Sequence, residues 1–271
     1  MNAEQWRAAM REWALPEAIL AAASASPWAL PIEPFRTRAE RALPGEMTFS
    51  SRRARDAIPP QGSVLDVGVG AGAASLALFP RCALIVGVDS SAESLHEFRR
   101  QARRVGVAAR TVKGAWPAVA RRAQAADVVV CNHVAYNVAD LAPFAMALHA
   151  HARRRVVMEI TNRHPTAWMA DLWLRFHDLE RPARPNADDA LSLIRGLGLP
   201  VRRHAATQSR GAGGFARRED AVAWIRRRLC LDPARDKEVA TALGDRLVHE
   251  DGLWSARPPR EPLVTLWWDV S

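Results

Sequence analysis

Apolar residues along this chain follow two rhythms. Short unbroken runs read as strands covered on both faces: Val64-Leu65-Asp66-Val67, Ala83-Leu84-Ile85-Val86-Gly87-Val88, Asp127-Val128-Val129-Val130-Cys131 and Arg155-Val156-Val157-Met158-Glu159-Ile160. Between them the apolar positions fall at helical spacing. Ser90-Ser91-Ala92-Glu93 is a capping box for a helix ending near Val105. Asp140 opens a helix that ends in Leu148-His149-Ala150-His151, and Trp168, Leu172, Trp173 and Phe176 share the face of another. Asn186 caps a further helix, with Asp188 and Asp189 in its first turn and Gly198 at its end. Weaker strands are expected at 110–113, 201–207 and 263–269. The alternation predicts an α/β fold with helices on both faces of a mostly parallel sheet.

Two regions depart from the alternation. In residues 1–58, Trp6, Met10, Trp13 and Ala14 predict a helix to Leu15, and Pro16 suits the start of another turn. Pro27, Pro31 and Pro34 then predict an extended passage from Pro27 to Phe35. The connection before the last strand is long and carries helical spacing at Ala221, Val222, Trp224, Ile225 and Leu229, then at Val239, Leu243 and Leu247. Residues 211–214 read as its flexible entry. The expected division is an N-terminal helical cap at 1–58, a sheet domain at 59–208, a helical insertion at 209–261 and a final core strand at 262–271.

The chemistry concentrates between Val64 and Asp89. An apolar run opens into Gly68, Gly70 and Gly72, a turn of helix follows, and a second run ends in Asp89. This is a βαβ unit with a nucleotide-sized crevice at the carboxyl ends of its strands. Gly68 and Gly70 allow close approach of a ligand, and Asp89 is placed to accept both hydroxyls of a ribose. A dinucleotide site prefers G-x-G-x-x-G, and here its third position is Ala73. Asp66, just before the glycines, repels a pyrophosphate and suits a ligand with a positive end, such as S-adenosylmethionine.

The spacing Asp66-x-Gly68-x-Gly70-x-Gly72, followed by Asp89, resembles the first two motifs of the class I S-adenosylmethionine-dependent methyltransferases over roughly residues 60–165. The resemblance implies a Rossmann-like seven-stranded sheet with an antiparallel last strand, and S-adenosyl-L-methionine as cofactor. It implies cofactor contacts from Asp66, Gly68, Val69, Gly70, Asp89 and Ser90. It also sets Ala115 and Trp116 beside the adenine, and Asn132 and His133 at the fourth motif. Two departures stand out. No acid follows the third strand at Gly114-Ala115-Trp116-Pro117, and Asn132-His133-Val134-Ala135-Tyr136 does not spell the N-P-P-Y of amino-group DNA methylases.

Methyl transfer needs an aligned nucleophile and, where that nucleophile carries a proton, a base. His133 is the first candidate, His164 the reserve, and Tyr136 or Glu159 can position the acceptor; packing or capping roles stay open for each. A carboxylate acceptor would need no base. Trp28, Phe35 and Phe49 are candidate walls of a pocket under the cap.

Composition narrows the picture. With 271 residues, 49% hydrophobic and 25% charged, the chain can bury a proper core. Cys82, Cys131 and Cys230 are scattered, so neither a disulfide framework nor a zinc knuckle is indicated, and a reduced cytoplasm is the simplest compartment. No metal is expected, no signal peptide is visible at the N-terminus, and no apolar run approaches a membrane span. The net charge of +9 invites a nucleic-acid reading. The arginine clusters are dispersed, however, and only Lys113 and Lys237 are lysines, so a solvated surface is favoured. The expected function is methylation of a small-molecule acceptor by a monomer or homodimer. An RNA methyltransferase and a Rossmann-fold NAD(P)-dependent oxidoreductase are the alternatives.

Overall fold

In the computed structural model, which describes residues 1–28, 31–42, 47–207, 214–256 and 262–270, the alternating runs become one seven-stranded sheet. Four helices come first: α1 (Ala3–Glu12), α2 (Glu17–Ala22), α3 (Glu33–Ala42) and α4 (Phe49–Ala57). The core then runs β1 (Gly62–Val67), β2 (Cys82–Asp89), α5 (Ala92–Val105), β3 (Ala108–Lys113), β4 (Ala126–Asn132), α6 (Leu141–His151) and β5 (Ala152–Thr161). After it come α7 (Ala170–His177), α8 (Ala187–Gly196), β6 (Arg202–Ala206), α9 (Arg218–Arg228), α10 (Asp236–Leu243), β7 (Leu247–Glu250), β8 (Leu253–Ala256) and β9 (Leu263–Asp269).

The strand order is β3-β2-β1-β4-β5-β9-β6. Strands β3 to β5 are parallel, and β9 lies antiparallel between β5 and β6. The order reverses between β1 and β4, so a crevice opens there at the carboxyl ends of the strands. Alternate residues of each strand feed two cores, which explains the unbroken apolar runs. Leu65, Val129, Val156 and Trp268 pack on one face with Trp6, Phe144 and Ile194; Val64, Val128, Val157 and Trp267 pack on the other with Ile58 and Phe98.

Several expectations are corrected here. The β1–β2 crossover holds only a 3₁₀ turn at Leu76–Leu78, because little chain separates Gly72 from Cys82. Ser91, rather than Ser90, caps α5, accepting from the Ser94 N–H at 3.2 Å. The proline passage is not extended throughout: α3 starts at Glu33 and takes Pro34 in its first turn, where a missing N–H costs nothing. Residues 29 and 30 of that passage, and 211–213 of the supposed flexible entry, lie outside the described residues. The segment before β9 is not purely helical, since it carries the β7–β8 hairpin.

A third core joins the two irregular regions. Leu15 from the segment between α1 and α2 packs with Leu172 and Trp173 of α7, Val222 and Ile225 of α9, and Val239 and Leu243 of α10. Cap and hairpin also touch, as Arg41 of α3 donates to the Asp251 carbonyl at 2.9 Å. The N-terminal segment and the late helices are therefore packed against one another.

Candidate functional site

The loop after β1 bends back sharply. Gly68 and Gly70 have φ of 77° and 52°, conformations that L side chains rarely adopt. A Cβ on Gly68 would lie 2.2 Å from Val134, so this glycine is also fixed by the neighbouring β4 loop. Asp89, at the end of β2, holds the turn: its carboxylate accepts from the Gly70 N–H at 3.0 Å and the Ser91 N–H at 2.8 Å.

These elements bound a cavity of about 510 Å³. Its floor is Asp66 with the glycine loop from Gly68 to Gly70. Asp89 and Ser90 stand at one side, Asn132, His133 and Asn137 at the other. Trp28, Ile32, Phe35 and Arg38 of the cap form the roof. Asp66 is buried, and burial pushes its carboxyl up to about 7; hydrogen bonding from Ser75 opposes that shift, and the nearby charge of Asp89 adds to it. Among the described residues, Asp66 Oδ2, the neighbouring Ser75 Oγ and Asn132 Oδ1 are buried without a hydrogen-bond partner at good geometry.

Behind one wall lies a polar network. His133 adopts φ of 62° and its N–H donates to the Glu159 carbonyl at 2.7 Å, which fixes the ring beside β5. The Arg38 guanidinium lies 2.8 Å from Nε2, and Tyr136 Oη lies 2.8 Å from Nδ1. A guanidinium only donates, so Nε2 is the acceptor. Tyr136 Oη can give or take the bond at Nδ1, and a neutral ring that accepts at Nε2 carries its proton on Nδ1 and donates to Tyr136. Burial raises the Tyr136 pKa, which keeps the phenol neutral. Glu159 is fully buried, takes a 2.5 Å hydrogen bond from Ser50 at the N-terminus of α4, and sets Oε1 3.3 Å from His133 Nε2. A carboxylate there favours the imidazolium once the ring has taken a proton.

The remaining expected residues are more scattered. Val69 lines the cavity, but Ala115 and Trp116 do not. Trp116 is corrected from cofactor wall to core: its indole donates to the Phe144 carbonyl and meets His151 edge-on at 4.9 Å. Phe49 is also off the cavity, stacked on His204 at 3.8 Å beside Trp267. Glu159 and Tyr136 do not face the cleft but sit behind His133. His164 stacks on Trp13 at 4.0 Å, and burial with the charges of Arg228 and Arg181 lowers its pKa to about 3. A neutral ring so depressed is a poor base near neutral pH. Arg38 and Ser50 went unread, since nothing marks one arginine or one serine among so many; only their placement by helices α3 and α4 reveals them.

Among the described residues there is no group of three or more metal-ligating side chains, and no helix long and apolar enough to cross a membrane. His149 and His151 are engaged with Trp268 and with the Ala147 and Ala120 carbonyls.

Residues 64–155 match a family model described as a methyltransferase domain. The chain is also similar to solved structures. The YcgJ protein from Bacillus subtilis shares 16% identity over 81% of this chain and 97% of that one, with a TM-score of 0.51. A proposed methyltransferase from Bacillus halodurans shares 15% over 82% and 98%, with a TM-score of 0.52. A proposed sarcosine dimethylglycine methyltransferase from Galdieria sulphuraria shares 13% over 82% and 83%, with a TM-score of 0.51. At these identities the likeness is one of fold. No curated protein sequence matches the chain.

Proposed function

We propose that the chain, whose residues 64–155 match a methyltransferase-domain model and whose sheet has the Rossmann-like fold of a methyltransferase-like structure, moves a methyl group from S-adenosylmethionine to a small-molecule acceptor. The observation that carries this reading is the pair of buried acceptors, Asp66 Oδ2 and Asn132 Oδ1, left without donors at the wall of the cavity. Buried polar atoms rarely stay unpaired, so these two suit a ligand that brings donors. An ammonium, ribose hydroxyls and an adenine amine are such donors. The cradle fits as well: a Cβ on Gly70 would meet nothing nearer than Phe35 at 4.0 Å, so it would project into the ligand's space.

Asp66 would take the amino end, Asp89 the ribose and Ser90 the base end. Bound there, the cofactor supplies a methyl carbon made electrophilic by its sulfonium. The chain's own task is to orient the nucleophile, exclude water and take a proton. His133 is built for the last step. Its Nε2 faces Arg38, a residue of the cavity roof and an obligate donor that fixes the tautomer, and Glu159 stabilises the imidazolium. Arg38 occupies that lone pair at 2.8 Å, so an acceptor hydroxyl or amine has to displace it. The α3 helix that carries Arg38 thereby couples roof closure to base availability.

Small acceptors suit this site better than nucleic acid. Many surface arginines are already committed to acids, among them Arg7 to Asp140, Arg100 to Glu97 and Arg217 to Asp220. Calorimetric titration of the full chain with S-adenosylhomocysteine tests the cofactor. Incubation of a metabolite extract with S-adenosylmethionine should then add one methylene mass to a single compound. Absence of S-adenosylhomocysteine binding would sink the reading.

A further inference from the structure

Half-buried arginines in this chain normally carry an acid. Arg155 meets Asp269 at 2.6 Å, Arg226 meets Asp236 at 2.9 Å and Arg246 meets Asp171 at 2.9 Å. Arg41, in the last turn of α3, has Asp251 at 3.5 Å. Arg38, one turn earlier on the same helix, breaks the habit. It is half-buried, its guanidinium meets His133 Nε2 at 2.8 Å, and it makes no ion pair among the described residues. The acids of α3 are engaged elsewhere, Glu33 with the Ala216 N–H and Glu40 with Arg100. Glu159 lies 3.3 Å from the same imidazole nitrogen but is fully buried and bonded to Ser50. Among the described residues that line the cavity, Arg38 is the only arginine or lysine, whereas Asp66, Asp89 and Glu93 are acids.

Arg38 and an acceptor cannot share His133 Nε2. A hydroxyl or amine that gives its proton to this nitrogen must come within about 3 Å of it, where the guanidinium now lies. A half-buried cation pushed off its partner without compensation is costly. The acceptor that uncovers the base most readily is therefore one that brings its own oxyanion. The planar fork of a guanidinium matches a carboxylate. The short Arg38–His133 contact also sets a length: the guanidinium starts against Nε2, so the carboxylate and the nucleophile stand only a few bonds apart in the acceptor. Trp28, Ile32 and Phe35 join Arg38 in the roof, and Trp28 is 56% exposed at the cavity, so the body between those two groups meets apolar and aromatic surfaces.

We propose that Arg38 selects the acceptor by pairing with a carboxylate set close to its nucleophile, and that this pairing uncovers His133 Nε2. The words acceptor and nucleophile rest on the methyltransferase reading; the carboxylate site itself does not. The test is calorimetry on the full chain with salicylate, 4-hydroxybenzoate and neutral salicylamide, each with and without S-adenosylhomocysteine. Salicylate should bind about tenfold or more tightly than salicylamide. It should also exceed 4-hydroxybenzoate, whose hydroxyl lies across the ring from its carboxylate. Arg38→Gln should abolish the preference for salicylate over salicylamide, and Arg38→Lys should retain part of it. In heteronuclear NMR the His133 imidazole, assigned by its loss in His133→Asn, should shift with salicylate and hold its position with salicylamide. Salicylate that binds the unaltered chain no better than salicylamide would overturn the proposal, as would an undiminished preference in Arg38→Gln. Equal binding of 4-hydroxybenzoate would overturn the close spacing, and an unmoved His133 signal the uncovering of the base. If Arg38→Gln weakens S-adenosylhomocysteine as much as it weakens salicylate, the arginine holds the cofactor's own carboxylate, and the assignment to the acceptor fails. Failure of S-adenosylhomocysteine to bind the unaltered chain would overturn the cofactor reading instead and leave the salicylate result standing.

Discussion

The two sides of His133 differ in what they leave unpaired. Around the glycine loop the buried polar atoms without partners are Asp66 Oδ2, Asn132 Oδ1 and the Ser75 hydroxyl, two of them acceptors. On the other side a donor, the Arg181 Nε, is left between the Trp13 and Trp173 rings. The glycine side therefore suits a ligand rich in N–H and O–H groups, whereas the other side holds its cation on aromatic faces. Between them stands His133, whose Nε2 faces the obligate donor Arg38. The contrast teaches that unpaired polarity, read with its sign, says more about ligands than cavity shape does.

The sharpest way to break the comparison is at its midpoint. His133→Ala should lower the rate of methyl transfer by about 10²–10⁴-fold, the usual contribution of a positioned base, with S-adenosylhomocysteine affinity nearly unchanged. Glu159→Gln keeps shape and the Ser50 contact but removes the charge that favours the imidazolium. A charge-assisted contact is worth roughly 1.5–3 kcal/mol, so its rate should fall about ten- to a hundredfold. Label transfer from S-adenosylmethionine to the acceptor measures both. A full rate in His133→Ala would mean that the nucleophile needs no base, as a carboxylate acceptor does not.

The cofactor end is sharpened by Asp89→Ala. It removes the acid at the crevice rim, and loss of even one charge-assisted hydrogen bond of roughly 1.5–3 kcal/mol weakens S-adenosylhomocysteine at least tenfold. Because Asp89 also holds the Gly70 and Ser91 N–H groups, Asp89→Asn separates the two jobs. Calorimetry showing undiminished binding in both variants would remove Asp89 from the ribose.

The same contrast governs what could be read from sequence. The glycine end is written in one contiguous stretch, Asp66 to Asp89, where local backbone needs dictate residue type. The strands around it are legible because a sheet covered on both faces must be apolar throughout. The far side is assembled from Trp13, Arg38, Ser50, His133, Glu159, His164 and Arg181, which no periodicity connects. Trp116 and Phe49 misled because an aromatic near a strand end has two faces of the sheet to choose from, and both turned into a core. The β7–β8 hairpin escaped because its four-residue strands are too short to show alternation.

The last test concerns Asp66, whose charge state the glycine end depends on. Burial raises its pKa from 3.8 to about 7, so the empty protein holds this carboxyl about half ionised near neutrality. A raised carboxyl pKa means that the folded chain binds the proton more tightly than the unfolded chain does. Its contribution to stability is therefore full below about pH 4 and is lost as pH rises towards 7, by roughly 4 kcal/mol at most. Asp66→Asn should raise the melting temperature relative to the parent at pH 8 and leave it nearly unchanged at pH 4. Ligand binding runs the other way. A cationic amino group selects the ionised carboxylate, so S-adenosylhomocysteine affinity should climb about tenfold from pH 6 to pH 8, with protons released on binding. In Asp66→Asn the affinity should be weaker and its pH dependence flat. If calorimetry in buffers of different ionisation enthalpy detects no proton release by the parent, Asp66 does not meet the ammonium. The glycine end would then owe its ligand to Asn132 and Asp89 alone.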